Sequence, residues 1–135
     1  MTTAETSGAT QADDEPLVDW AVALESVGGD PELLLEVIEA FLIEGPQQLA
    51  AIHRSFQAGD AKTLHRAAHT LKGSMRYFGA RRLFETALQL ELLSDAALRQ
   101  NQSLAESAPL IARLDSQLPG LTAALTEYLR NRRPK

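Results

Sequence analysis

The chain contains no cysteine, and its 135 residues include only one tryptophan, two tyrosines and four phenylalanines. The absence of cysteine excludes disulfide bonds, thiolate metal sites and cysteine nucleophiles. No apolar run approaches the roughly 18 residues that a membrane-spanning helix needs. The N-terminus also lacks the basic and apolar regions of a secretory signal. We therefore expect a single cytoplasmic domain that does not interact with a membrane.

Acidic residues are missing from one segment of an otherwise acidic chain. The net charge is −5, yet residues 61–84 contain no aspartate or glutamate. The same segment carries six basic residues, which are Lys62, Arg66, Lys72, Arg76, Arg81 and Arg82. The acidic remainder argues against general nucleic-acid binding, which usually relies on a net basic surface. A local basic surface on an acidic protein suggests instead a site for an anion or an acidic partner.

Apolar residues recur at helical spacing along most of the chain. Residues 1–15 have little to bury and are predicted to be a disordered tail or a linker. The pattern then predicts a short amphipathic helix before Gly28, and long helices over residues 31–58, 61–77, 80–93 and 104–129. Pro46 is expected to bend the first long helix without ending it, and Pro119 to kink the last one.

No segment alternates as a strand does, and no internal repeat is present. Four long amphipathic helices with short connections predict an all-α fold, an antiparallel four-helix bundle over residues 16–130. The additional short N-terminal helix would cover one end of it. Residues 131–135 are predicted to be a frayed basic tail. Because no second apolar face is evident, we expect a monomer.

The helix over residues 61–77 has two contrasting faces. On a helical wheel the buried stripe consists of Leu64, Ala67, Ala68, Leu71, Met75 and Phe78. The wheel places His69 about 140° from Leu64, on the solvent side. The residues that accompany His69 on that side are His65, Lys72, Gly73 and Arg76. The sequence therefore predicts an exposed histidine on a cationic helix face.

Each residue type on this face has a chemical reason. A neutral imidazole is a good nucleophile toward phosphorus near pH 7, because its ordinary pKa is about 6.5. Neighbouring positive charges favour the neutral ring and stabilise a phosphoryl group that passes onto it. Lys72 lies one turn from His69 and can reach that phosphate. Gly73 weakens a helix by about 1 kcal/mol relative to alanine, and its benefit would be access for another protein's active site.

The run His69-Thr70-Leu71-Lys72-Gly73-Ser74, followed by Phe78-Gly79-Ala80, closely resembles the histidine-containing phosphotransfer (HPt) domain of bacterial multistep phosphorelays. The resemblance covers roughly residues 17–129. It implies that His69 accepts a phosphoryl group from an aspartyl phosphate on a receiver (response regulator) domain and passes it to another receiver. It also implies that Lys72 stabilises the phosphate and that Gly73 gives the receiver access.

The resemblance carries further expectations about partners and chemistry. Receiver domains, including those of hybrid histidine kinases, would be the partners, and the divalent metal would sit on the receiver, with no cofactor on this chain. The residues expected to dock the receiver are Lys62, His65, Arg66 and Arg76. Positions after Ser74 are often small in the family, so Arg76 and Tyr77 are expected to tune partner choice. No glycine-rich nucleotide loop is present, so the chain would be a phosphotransfer intermediate rather than an autonomous kinase.

Other chemistries for these residues are weaker. His65 and His69 are spaced for a metal site on one helix face, but their cationic neighbours oppose a metal and no carboxylate lies nearby in sequence. Ser74 has no adjacent aspartate that would support a catalytic triad. His53 is expected to be structural. The alternative function is a helical bundle that docks an acidic protein and is never phosphorylated, although the intact His-x-x-Lys-Gly run argues against it.

Overall fold

The computed structural model describes residues 16–133 of the chain. This part contains five α-helices. They are α1 (Trp20–Ser26), α2 (Pro31–Gln57), α3 (Ala61–Tyr77), α4 (Arg81–Gln100) and α5 (Ala108–Arg132), with a 3-10 turn at Ala105–Ser107. No strand occurs within residues 16–133, which confirms the predicted all-α class. The predicted N-terminal tail, residues 1–15, lies outside the described residues, as do residues 134–135.

The four long helices form an antiparallel bundle. Helix α3 packs against α2 and α4, and α5 packs against the same two helices. Their buried side chains meet in one core that includes Leu34, Ile38, Ile52, Leu64, Leu71, Met75, Leu90, Leu114, Leu121 and Leu125. The predicted four-helix bundle is therefore confirmed. In the described part of the chain, no helix is both long enough and apolar enough to cross a membrane.

Aspartates fix the start of the first three helices. Asp19, Asp30 and Asp60 precede α1, α2 and α3, and each carboxylate accepts a hydrogen bond from a backbone N–H of the first turn. Such a cap stabilises a helix by about 1 kcal/mol. Helix α2 continues past Pro46, as predicted, so one 27-residue helix spans the length of the bundle.

Helix α1 closes the end of the bundle where α3 turns into α4. The backbone N–H of Asp19 donates to the carbonyl of Phe78 at 3.0 Å, and the Ser26 hydroxyl donates to the carbonyl of Tyr77 at 3.1 Å. Gly79, in the turn, has a φ of +64°, and a Cβ there would lie 2.7 Å from the Cβ of Asp19. The turn therefore needs glycine for its conformation and for the close approach of α1.

Helix α4 is longer than the sequence predicts. The predicted helix ends at residue 93, whereas α4 continues to Gln100. The reason is that Ser94 faces the core: it is fully buried, and its hydroxyl donates to the carbonyl of Leu90 at 2.8 Å. A polar residue thus occupies a core position and hides the apolar pattern. The helix ends at Asn101, which adopts a left-handed conformation with φ of 54°.

Helix α5 also differs at both ends from its predicted range, residues 104–129. It starts at Ala108 after a 3-10 turn and continues to Arg132. Arg133, within the predicted frayed tail, lies against α2 instead. Its guanidinium donates to Glu39 at 2.6 Å and to Glu32 at 3.3 Å. Arg133 therefore binds two glutamates of α2, a pairing that no local pattern reveals.

Replacing Gly79 by alanine is expected to lower the free energy of unfolding by about 2–3 kcal/mol, because a left-handed conformation and a clash with Asp19 act together. Gly59→Ala is the matched control, since Gly59 has a φ of +69° but no atom within 4 Å of the added Cβ. It should lose only about 1 kcal/mol. Urea unfolding of both variants provides the measurement, and equal losses would contradict the steric role of α1.

Candidate functional site

Helix α3 presents His69 to solvent on the side away from the core. Leu64, Leu71 and Met75 are fully buried on the opposite side, as the helical wheel predicts. The His69 side chain is 64% exposed, compared with 35% for His65 one turn earlier. The ring is thus open to a partner while its helix is held by the core.

A carboxylate from α4 meets three side chains of α3. Glu91 Oε2 lies 2.7 Å from Nδ1 of His69 and 3.7 Å from Nε2 of His65. Its other oxygen, Oε1, lies 2.7 Å from Nζ of Lys72. We call these four residues the Glu91 cluster. The Glu91 side chain is only 12% exposed, so a buried negative charge organises the site from below.

The Glu91 carboxyl is ionised at neutral pH. Burial raises the pKa of Glu91, but the Lys72 ammonium and the His69 ring lower it by more, so this pKa lies below its ordinary value. The Lys72 ammonium lies 2.7 Å from Oε1 and forms an ion pair with the carboxylate. The cluster therefore balances one buried negative charge with one adjacent positive charge.

The contact with Glu91 fixes which nitrogen of His69 is available. An ionised carboxylate can only accept a hydrogen bond, so Nδ1 of His69 carries the hydrogen. In the neutral ring the lone pair is then on Nε2. Within residues 16–133, Nε2 has no hydrogen-bond partner. The nitrogen of the exposed ring with a lone pair available is consequently Nε2.

Gly73 leaves open space one turn after His69. It is exposed, and a Cβ built on it would meet no atom within 4 Å. Its φ is not positive, unlike those of the turn glycines such as Gly79. Neither backbone conformation nor packing inside the domain therefore requires glycine here.

The four predicted docking residues have different surroundings. Lys62 and Arg66 are exposed on α3. The exposed Arg76 places its guanidinium 5.3 Å from the centre of the Phe84 ring, on α4. His65 is half-buried and turned toward Glu91, so it belongs to the Glu91 cluster as much as to the open surface.

Sequence reasoning missed Glu91. No carboxylate lies near His69 along the chain, because Glu91 is 22 residues away and reaches the site by the pairing of α3 with α4. The available clue was an acidic residue between Leu90 and Leu92, within an apolar run of a predicted helix. Among the described residues no group of three or more potential ligands is arranged to hold a metal ion.

Comparison with known proteins gives one family. The model of the Hpt domain family matches residues 36–129. The HPT domain of an Hpt sensor hybrid histidine kinase from Shewanella has a similar fold, with a TM-score of 0.71 and 21% identity over 85% of this chain and 95% of that one. Histidine-containing phosphotransfer protein B (HptB) from Pseudomonas aeruginosa PAO1 also has a TM-score of 0.71 and 21% identity, over 87% of this chain and 98% of that one. No curated protein is a significant match.

The family match covers well over half of the chain, including α3, α4 and most of α2 and α5. The two solved structures are similar in fold over nearly their whole length. The predicted family is confirmed. The chain belongs to the Hpt domain family, and it is a histidine phosphotransfer domain that works with receiver domains in phosphorelays.

Proposed function

We propose that His69 carries the phosphoryl group, taking it from the aspartyl phosphate of one receiver domain and passing it to another. The observation that carries this proposal is the exposed ring whose Nδ1 is held by Glu91. The chain has two other histidines. His53 pairs with Asp115 across α2 and α5 at 2.8 Å, and His65 directs its Nε2 toward Glu91. His69 alone combines exposure with an unpartnered Nε2 in the described residues.

Transfer to His69 is a single displacement. The lone pair of Nε2 forms the nitrogen–phosphorus bond as the phosphorus–oxygen bond to the receiver's aspartate breaks, and the aspartate leaves as a carboxylate. Because Nδ1 keeps its hydrogen, the ring becomes positively charged. The Glu91 carboxylate, 2.7 Å from Nδ1, stabilises that charge as it develops. Passing the group to the next receiver reverses these changes.

Lys72 is proposed to have two roles, and the first is to balance the charge of Glu91 beneath the ring. Without it, the carboxylate that helps His69 would also repel the incoming phosphoryl group. The ion pair at 2.7 Å removes this conflict by balancing the charge of Glu91. The resemblance assigns Lys72 to the phosphate itself. That contact requires its ammonium to turn from Glu91 toward Nε2, and the Lys72 side chain is 15% exposed in the present arrangement. We infer that Lys72 serves both groups in turn.

The receiver domain supplies the rest of the reaction. We propose that it brings the divalent metal, and that its acidic pocket is attracted by Lys62, Arg66 and Arg76, which are exposed on α3. Receivers of hybrid histidine kinases are proposed as donors. Such an exchange takes place in the cytoplasm, with this chain acting as a monomer.

Replacing His69 by glutamine is expected to abolish phosphotransfer without unfolding the domain, because the side chain is exposed. The measurement is transfer of labelled phosphate from a panel of phosphorylated receiver domains to each variant. Label on the wild type should be labile in acid and stable in alkali. His53→Gln is the matched control and should keep full transfer. Label that persists in His69→Gln, or a large loss of melting temperature there, would contradict the assignment.

Lys72→Ala is expected to slow transfer by about tenfold or more while changing the receiver Kd little, because it leaves the charge of Glu91 uncompensated. Glu91→Gln should also slow transfer, since the ring charge is no longer stabilised. The effects of replacing two partners of one ion pair are not additive. The rate reduction in the double variant should therefore be smaller than the product of the reductions in the two single variants. Single-turnover rates test this, and strictly multiplicative effects would separate Lys72 from Glu91.

Gly73→Ala is expected to stabilise the fold by about 0.5–1 kcal/mol, because alanine is the better helix former and the space beside Gly73 is empty. The same change should slow phosphotransfer, since the added methyl group stands where a receiver must approach. Urea unfolding and transfer rates are measured on one preparation. A stabler domain with unchanged transfer would remove Gly73 from the docking surface.

A further inference from the structure

Two leucines of α4 lie outside the core beside the Glu91 cluster. Leu92 is 59% exposed, and Leu88 is partly exposed. They are four residues apart, so they share one side of the helix. Phe84, four residues earlier, continues the line and has the Arg76 guanidinium over its ring. We call Phe84, Leu88 and Leu92 the α4 stripe.

The α4 stripe lies at the level of His69. Leu88 and Leu92 are three residues before and one residue after Glu91, whose carboxylate contacts the His69 ring. With a rise of about 1.5 Å per residue, both lie within about 5 Å of that contact along the α4 axis. Packed helices are about 8–10 Å apart. A partner that buries about 800 Å² of this domain around His69, and whose contact extends toward α4, would therefore cover both leucines.

The other flank of His69 is lined mostly by polar side chains. The groove between α2 and α3 is lined by Glu44, Gln47, Gln48, Ala51, Thr63, Arg66, Ala67 and Thr70. The centre of a protein interface is depleted in charged residues, and its rim is polar. On the α4 side the exposed side chains near the Glu91 cluster include leucines, whereas the groove on the α2 side is lined mostly by charged, amide and hydroxyl side chains. Ile43, the most exposed large hydrophobic side chain of α2 at 66%, provides a comparison on that side.

We propose that a receiver domain docks across α3 and α4, with Leu88 and Leu92 forming the apolar part of the contact and Arg76 its basic end. The inference rests on the proposed role of His69, because it assumes that the receiver's aspartyl phosphate meets Nε2. The partner it fits presents an apolar patch next to its acidic pocket. Leu88 and Leu92 then flank the buried Glu91 as specificity-determining residues, and they explain why α4 exposes leucine where a solvated helix would carry a polar side chain.

The test compares Leu92→Asp with Ile43→Asp, two changes that add the same charge at similarly exposed positions on opposite flanks. Both are made in the His69→Gln background, so that only docking is measured. The probe is the receiver domain that transfers phosphate fastest to the wild type, and titration calorimetry gives its Kd. Leu92→Asp and Leu88→Asp should each raise Kd by about tenfold or more, and Ile43→Asp by less than about twofold. Circular dichroism checks that each variant remains folded.

Three results would overturn the proposed surface. Equal weakening by Leu92→Asp and Ile43→Asp would mean that only net charge matters. Weakening by Ile43→Asp alone would place the receiver on the α2 flank. A dimer of the wild-type chain in sedimentation experiments, abolished by Leu92→Asp, would make the α4 stripe a contact between two copies.

The two proposals fail separately. If label disappears in His69→Gln while Leu92→Asp leaves Kd unchanged, the docking surface is wrong and the phosphorylated residue stands. If label persists in His69→Gln while Leu92→Asp weakens binding, the docking surface stands and the role of His69 is wrong.

Discussion

A buried carboxylate that requires compensation is the constraint on which the site depends. An unpaired charge at the position of Glu91 would destabilise the fold by several kcal/mol. Lys72 supplies the compensating charge and His69 a hydrogen bond, and both come from the neighbouring helix α3. The charge of Glu91 is therefore compensated only when α3 and α4 pack in the register that also places the ring of His69 against its carboxylate. The requirement that stabilises this helix pair is the same one that orients the proposed phosphoryl acceptor.

The rest of the fold keeps α3 still. Asp60 caps its first turn, and the core holds one side along its length. At its other end, α1 hydrogen-bonds to Tyr77 and Phe78, and Gly79 permits the close approach. A reactive side chain on a helix fixed at both ends needs little reordering when a partner arrives. Precise placement of this kind favours phosphoryl transfer, in which positioning supplies much of the catalysis.

The parts of the site that follow from local pattern were predictable. The exposure of His69 follows from helical periodicity, and its chemistry follows from a short motif. Glu91 was not predictable in the same way, because its place beside His69 depends on how α3 and α4 pair. The predicted end of α4 was wrong for a related reason. Ser94 is polar yet buried, because its hydroxyl donates a hydrogen bond to the backbone within the helix. Local sequence predicts which face of a helix a residue occupies, but not which side chains of a neighbouring helix it contacts.

The Lys72–Glu91 ion pair gives the two stages of the reaction different sensitivities to salt. Charges in solvent are screened beyond about 8 Å at physiological ionic strength, whereas buried pairs are screened much less. The exposed Lys62, Arg66 and Arg76, which are proposed to attract a receiver, belong to the first kind, and the mostly buried pair belongs to the second. Ionic strength can thus change how often a receiver arrives while leaving the charge balance beneath the histidine intact. In the proposed mechanism, the rate of encounter with a receiver therefore depends on ionic strength, whereas the rate of the phosphoryl-transfer step does not.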